Sequence, residues 1–297
     1  MSEWIAKVRS RSRSGIQGPF EFIAVDHYMH DMRLYKSRSE IATMRKAARI
    51  SAAAHRQLMQ RCRPGMQEYQ LQADFEHACA SKGATRQAYP AIVGGGNNAC
   101  ILHYIENNAK LEEGDLVLVD AGCELDCYAS DITRTFPVSG KFSEPQRLLY
   151  QLVLDAQHAA IDAVRPGNSW HAPHETAVKV LTRGLVKLGL LKGQPAQLVR
   201  KEAYSKFYMH KTGHWLGMDV HDVGDYKVDG EWRMLEPGMV LTIEPGLYIP
   251  EGMRGVAKKW QGIGIRIEDD VLVTKEGHDV LTSDAPKEVD EIEALMA

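Results

Sequence analysis

An α+β fold is predicted for this 297-residue chain by its two kinds of element and the way they are linked. Apolar residues recur at helical spacing in long segments, clearest in Leu148, Leu149, Leu152, Val153, Ala156, Ala160 and Val164. Short aliphatic runs such as Leu116 to Val119 lead into tight polar turns, so strands are linked as hairpins and not through βαβ crossovers. The same succession occurs twice: helix, Arg-Pro-Gly turn, helix, strands, Leu-Glu-x-Gly, carboxylate hairpin. Two halves of about 100 residues each therefore point to an internal duplication.

Composition sets the outer bounds. The chain is long enough for a sizeable core, and its formal net charge of −3 implies neither a nucleic-acid partner nor a membrane surface. No apolar run reaches the roughly 18 residues of a spanning helix, and MSEWIAKVRSRSRSG lacks the apolar centre of an export signal. Cys62, Cys79, Cys100, Cys123 and Cys127 form an odd, scattered set, as expected of free thiols in a reducing cytoplasm. Cys123 and Cys127 have no second Cys/His pair near them, which argues against a zinc knuckle.

The elements follow in order. Residues 1–35 read as a solvated linker or the frayed end of a helix, with Lys7, Arg9, Arg11 and Arg13 interleaved with serine and apolar residues before Gly15, Gly18 and Pro19. From Ser37 the pattern tightens. Ser37-Arg38-Ser39-Glu40 is a capping box, and the helix it starts is stopped by Arg63-Pro64-Gly65. A second helix covers about 67–82, and the Gly- and Asn-rich segment 90–104 reads as a loop. Its Gly94-Gly95-Gly96 has no following Lys-Ser/Thr, so it is no phosphate loop. Helices are predicted from Ser143 to Val164 and over 172–189. Three histidines, His210, His214 and His221, then crowd into 204–223, a second hairpin spans about 239–274, and a short surface helix closes the chain over 287–297.

The chemistry is carried by the hairpins. Asp120 and Asp131 are eleven residues apart. A hairpin centred between Leu125 and Asp126 places them opposite each other, with Cβ atoms roughly 4.5–5.5 Å apart on one face. Carboxylates that close repel unless a cation lies between them. The repeat aligns Asp120 with Glu244, and Glu268 follows Glu244 as Asp131 follows Asp120. His210-Lys211-Thr212-Gly213-His214 has the spacing of a helical zinc-protease motif, but Lys211 stands where that motif needs Glu, and Gly213 disfavours a helix. On a strand, His214 can face a pocket instead. The candidate ligands are thus Asp120, Asp131, His214, Glu244 and Glu268, four carboxylates and one imidazole without a thiolate. Such a hard donor set suits Mn²⁺ first and also accepts Co²⁺, Fe²⁺ or Zn²⁺. Its charge matches two divalent ions, and ions roughly 3.5–4 Å apart can hold a bridging hydroxide, a nucleophile at neutral pH.

The segments GCILHY, DLVLVDAGCELDCYASDITRTFPVSGKF, HWLGMDVHDVG, LEPGMVLTIEPGLYI and GIGIRIEDD, in this order, closely resemble aminopeptidase P (Xaa-Pro aminopeptidase) of the pita-bread metallopeptidases, and do so from about residue 30 onward. The resemblance implies a pita-bread catalytic domain over 36–297 that removes an N-terminal residue preceding proline. It implies that Asp131 and Glu268 bridge the ions and that Glu244 is also the general base. It implies that His103 and His221 contact substrate and steady the tetrahedral intermediate, and that His210, Tyr248 and Arg266 line the proline side of the pocket. It further implies a homo-oligomer, dimer or tetramer. Family members carry a longer N-terminal domain ahead of the catalytic one. Residues 1–35 correspond to its last piece, so a weakened oligomer and low or absent activity are expected alternatives. Prolidase shares the ligands and takes only dipeptides, and binding modules of the same fold have lost the ligands that all five positions here retain.

Overall fold

The computed structural model describes residues 2–19 and 21–297. The leading segment is more than the expected linker. It holds helices α1 (Ser2–Arg9) and α2 (Asp26–Leu34), and Leu34 at its end is fully buried in the main core; Met1 and Phe20 of that segment lie outside the described residues.

Capping starts the next helices. The Ser37 backbone N–H donates to Glu40 at 2.7 Å and opens α3 (Arg38–Arg61), which stops where the Arg-Pro-Gly glycine, Gly65, turns left-handed at φ 91°. Then come α4 (Glu68–Ala80) and β1 (Arg86–Gln87). The segment expected to be a loop begins instead as strand β2 (Ile92–Gly95) and continues as a 3-10 helix over Gly96–Cys100. Glycine permits this. A Cβ on Gly94 would lie 2.9 Å from the backbone of Asn98.

The first hairpin comprises β3 (Leu116–Asp120), β4 (Cys123–Leu125), β5 (Tyr128–Ala129) and β6 (Thr133–Pro137). Its turn is Asp126–Cys127, both with positive φ, which matches the twist of a two-residue hairpin. The register is thus one residue off the expected centre. Asp120 pairs with Thr133, and Asp131 is the diagonal neighbour two residues earlier, on the same face. Gly122 makes the approach possible, since a Cβ there would lie 1.8 Å from the Ser130 carbonyl oxygen.

Ser143 caps α5 (Glu144–Asp162), which is followed by α6 (Ala172–Lys187) and α7 (Pro195–Arg200). A small hairpin, β7 (Lys227–Val228) and β8 (Glu231–Trp232), precedes β9 (Val240–Ile243), β10 (Gly246–Ile249), β11 (Ile263–Arg266), β12 (Asp269–Val273) and β13 (His278–Val280). The C-terminal helix is α8 (Val289–Met296).

The duplication is visible bond by bond. Gly65 N–H donates to Leu111 O and Gly167 N–H to Leu235 O; Glu68 N–H donates to Ala109 O and Trp170 N–H to Arg233 O. Sheet β2-β3-β6 is matched by β13-β12-β9, where Thr212 to Leu216 runs beside β9 in the place of β2. Helix pairs α3–α4 and α5–α6 pack against these sheets and fill one continuous core. No helix among the described residues is long and apolar enough to cross a membrane.

Candidate metal centre

The ends and breaks of the hairpin strands deliver the carboxylates. Asp120 ends β3, and Asp131 precedes β6. In the second half β9 pairs with β12 through Ile243 and Asp269, and β10 with β11 through Gly246 and Arg266. The same register carried across the break sets Glu244 opposite Glu268. The halves meet here: Glu268 N–H donates to Thr133 O at 3.1 Å, and the Thr133 hydroxyl donates to Glu268 Oε2 at 2.5 Å.

His214 is aimed by the backbone of the next residue. Its ring Nδ1 donates to Trp215 O at 2.9 Å, which leaves Nε2 facing Asp131 Oδ2 at 3.4 Å and Glu244 Oε1 at 3.7 Å. That is how ligating histidines are held, one nitrogen fixed by a carbonyl and the other presented. Ligand atoms of Asp131, His214 and Glu268 all lie within 4.8 Å of one another. Asp120 and Glu244 line the same cavity of about 410 Å³.

The electrostatics fit cations. Burial pushes the carboxyls of Asp120, Glu244 and Glu268 up, and repulsion among neighbouring carboxylates adds to it, with partial relief from Arg266; Glu244 stands at about 7. Burial opposes charge on His214, yet Asp131 and Glu244 outweigh it and hold its imidazole at about 9. Asp120 Oδ1 is buried without a hydrogen-bond partner. Buried carboxylates of this density are paired or bind metal. Hard divalent ions suit the all-oxygen-and-imidazole donor set.

Of the remaining expected residues, His103, His210, His221 and Arg266 line the cavity. The His221 ring packs edge-on against His214 at 4.3 Å. Tyr248 differs from expectation: it is fully buried behind His210 and does not line the cavity. Its hydroxyl donates to His210 Nε2 at 2.8 Å and accepts from Arg266 Nη1 at 3.1 Å. Arg266 also donates to Asp120 Oδ2 at 2.5 Å and to the Thr133 hydroxyl at 3.1 Å. One guanidinium thus joins a candidate ligand carboxylate, through the Tyr248 hydroxyl, to the rim histidine.

Several residues of the site carry no sequence signal of their own. Tyr89 donates to Asp131 Oδ1 at 2.5 Å. Asp270 accepts the Asp131 N–H at 3.2 Å. Glu68, fully buried, accepts from Gly95 N–H, Asn98, Tyr104 and Ala109 N–H and so steadies the loop that carries His103.

Residues 42–275 match metallopeptidase family M24. The Xaa-Pro aminopeptidase of Escherichia coli K12 is 48% identical over 292 residues, which cover 98% of this chain and 66% of that protein. The structure of Pseudomonas aeruginosa aminopeptidase PepP superposes with a TM-score of 0.96 at 58% identity, covering 99% of this chain and 67% of that one. Zn-substituted E. coli aminopeptidase P in complex with product superposes with a TM-score of 0.95 at 48% identity, covering 98% and 66%. The chain thus spans just under two thirds of the curated E. coli relative's length.

Proposed function

The chain belongs to metallopeptidase family M24 and has its pita-bread fold, and on that premise we propose that it is an Xaa-Pro aminopeptidase. The observation that carries this reading is the convergence of Asp131, His214 and Glu268 within 4.8 Å, in a cavity also lined by Asp120, Glu244 and the histidines His103, His210 and His221. We assign the five ligands Asp120, Asp131, His214, Glu244 and Glu268 to two divalent ions, Mn²⁺ first. Such ions lower the pKa of a shared water and polarise a carbonyl oxygen.

The protein's own groups do the rest. The carboxylate cluster pairs with the free α-amino group of the peptide, which confines cleavage to the N-terminal residue. Glu244, 3.7 Å from both His210 Nδ1 and His214 Nε2, takes the proton of the attacking water. It returns that proton to the proline nitrogen as the C–N bond breaks. His221 and His103 donate to the oxygen of the tetrahedral intermediate. Burial lowers the pKa of His221, which keeps it a neutral N–H donor at neutral pH. His210 and Arg266 bound the proline ring, with Tyr248 holding both.

Residues 1–35 form a leading segment and 36–297 the catalytic domain in this reading. Ile23 and Met32, 74% and 72% exposed, support a homo-oligomer, which light scattering tests; the five unpaired cysteines support a reducing, cytoplasmic setting. The test of activity is hydrolysis of Xaa-Pro and Xaa-Pro-Xaa peptides by Mn²⁺-loaded protein, with Asp131→Asn as control. Release of the first residue from the tripeptide, and its loss in the variant, supports an aminopeptidase. Cleavage of the dipeptide alone indicates a prolidase.

A further inference from the structure

A second cavity, of about 470 Å³, lies beside the catalytic one and shares Lys211 and Gly213 with it. The duplication tells what kind of group it takes. In the first half Ile92 pairs with Asp120; in the second the Glu244 N–H donates to Thr212 O. Lys211 and Gly213 therefore stand where Ala91 and Val93 stand. The outer edge of β2 is closed by one side-chain amide. Asn107 accepts from Val93 N–H at 2.8 Å and donates to Ala91 O at 2.8 Å.

No such group closes the second edge. Aligning Leu111 with Leu235 puts Glu231 in the place of Asn107, and Glu231 is exposed on β8. Lys211 O is taken by His210 Nδ1 at 2.7 Å, while Gly213 N–H has no hydrogen-bond partner among the described residues. The open edge thus calls for an acceptor and not for an amide. Charge points the same way. Lys211 and Lys227 both line the cavity, neither is in an ion pair among the described residues, and no Asp or Glu lines it. Its walls are aromatic and already assembled. The Trp232 ring stacks on His171 at 4.7 Å and 3°, with Lys227 Nζ 4.6 Å from its centroid, and Trp170 packs against Tyr226 at 4.7 Å. Such a wall costs little ordering on binding.

We propose that this cavity binds a carboxylate carried on an aromatic or bulky aliphatic body, as at the C-terminus of a peptide. Gly213 N–H and the Lys211 ammonium hold the carboxylate, and Trp170 and Trp232 flank the body. The proposal goes beyond the peptidase reading and needs no metal.

Titrating the purified chain with N-acetyl-L-phenylalanine, and separately with its methyl ester, tests it through tryptophan fluorescence and the Gly213 amide resonance. The acid is expected to saturate both signals and to bind at least about 10-fold more tightly than the ester, the value of one charge-assisted hydrogen bond. Lys211→Met, at an exposed position, should weaken the acid by a similar factor, and Asp131→Asn should leave it unchanged. No saturable change overturns the proposal, as does equal binding of acid and ester. Binding lost in Asp131→Asn and kept in Lys211→Met overturns it too, by moving the ligand into the catalytic pocket. None of these readings requires turnover, so failure of the peptidase assignment is seen separately.

Discussion

Lys36 and Asp222 form an ion pair at 3.0 Å in which each side chain is only 1% exposed. Arg33, at the end of α2, reaches the same Asp222 carboxylate. Asp222 follows His221, and its N–H donates to Trp215 O at 2.9 Å, next to His214. Arg33 of the leading segment and Lys36 just after it therefore grip the loop that carries two site histidines. Removing one partner of a buried pair leaves the other uncompensated. Because Arg33 remains, Lys36→Met is expected to cost about 3 kcal/mol, the low end for such pairs. Peptide hydrolysis should drop by up to about 100-fold through misplacement of His221. Urea denaturation and kcat with metal content measured in parallel check this. Full stability with full activity would show the pair to be idle.

The ligand assignment predicts an unusual variant. Burial and three neighbouring carboxylates push Glu268 well above the ordinary carboxyl range. In metal-free protein burial and these neighbours therefore disfavour its charged form, and Gln is nearly the isostere of its protonated form. Glu268→Gln should leave the metal-free chain folded, at a cost of no more than about 1–2 kcal/mol, the scale of one perturbed buried hydrogen bond. Bound metal, about two ions in the parent by charge matching, and activity should both fall. Elemental analysis beside thermal unfolding measures the two halves of this expectation.

Close approach around the centre predicts a steric effect. A Cβ on Gly213 would lie 1.9 Å from the Thr242 carbonyl oxygen, which is backbone and has little room to move. Gly213→Ala should cost about 3 kcal/mol and displace His214, so that metal is lost with stability. Retained metal at parental stability would mean that the segment beside β9 relaxes freely.

The two-fold repeat, the Ser37 capping box and the clustering of the candidate ligands at the hairpins were legible in the sequence because each depends on local spacing. The hairpin register was not. Asp126-Cys127 adopts positive φ at both positions, although Cys127 has no preference for it, and Cys123 to Leu125 carries no signal that separates one centre from the next. The face was still right, because any odd separation within one register keeps Asp120 and Asp131 on the same side. Strand β2 was hidden by its glycines, which are there for steric reasons and weaken every strand signal. Tyr89, Thr133 and Asp270 reach the site only through tertiary contacts. The shift of Tyr248 from rim to support has the same origin.

Acid sensitivity should include a part that is independent of metal. His55 is fully buried, bonded to Ala121 O at 3.0 Å, and its Nδ1 has no partner. Burial, with Arg134 adding to it, lowers its pKa from 6.5 to about 4. The folded chain thus holds the neutral ring where the unfolded chain binds a proton. The resulting stability is complete above about pH 6.5 and is lost as pH falls toward 4, up to about 3 kcal/mol. Unfolding of metal-free protein between those pH values should show this slope, and His55→Gln should flatten it. An unchanged slope in the variant would assign the acid sensitivity to other groups.

Tyr248 should act on substrate affinity without touching substrate. His210 Nδ1 donates to Lys211 O, so its Nε2 must accept, and burial lowers its pKa to about 3, which keeps it neutral. The Tyr248 hydroxyl is the donor to Nε2 and the acceptor for Arg266 Nη1. Tyr248→Phe removes both bonds and keeps the ring in its fully buried place. Arg266 retains Asp120 and Thr133, so the fold should lose only about 1–2 kcal/mol, the scale of a lost buried hydrogen bond. His210 loses one of the two bonds that orient it. KM for Xaa-Pro-Xaa peptides is then expected to rise about 10-fold with a smaller change in kcat, the pattern of lost positioning in the ground state. A double-mutant cycle with His210→Ala distinguishes this from general damage. If Tyr248 works through His210, adding Tyr248→Phe to His210→Ala changes KM little. If the two effects multiply, the tyrosine supports the site by another route.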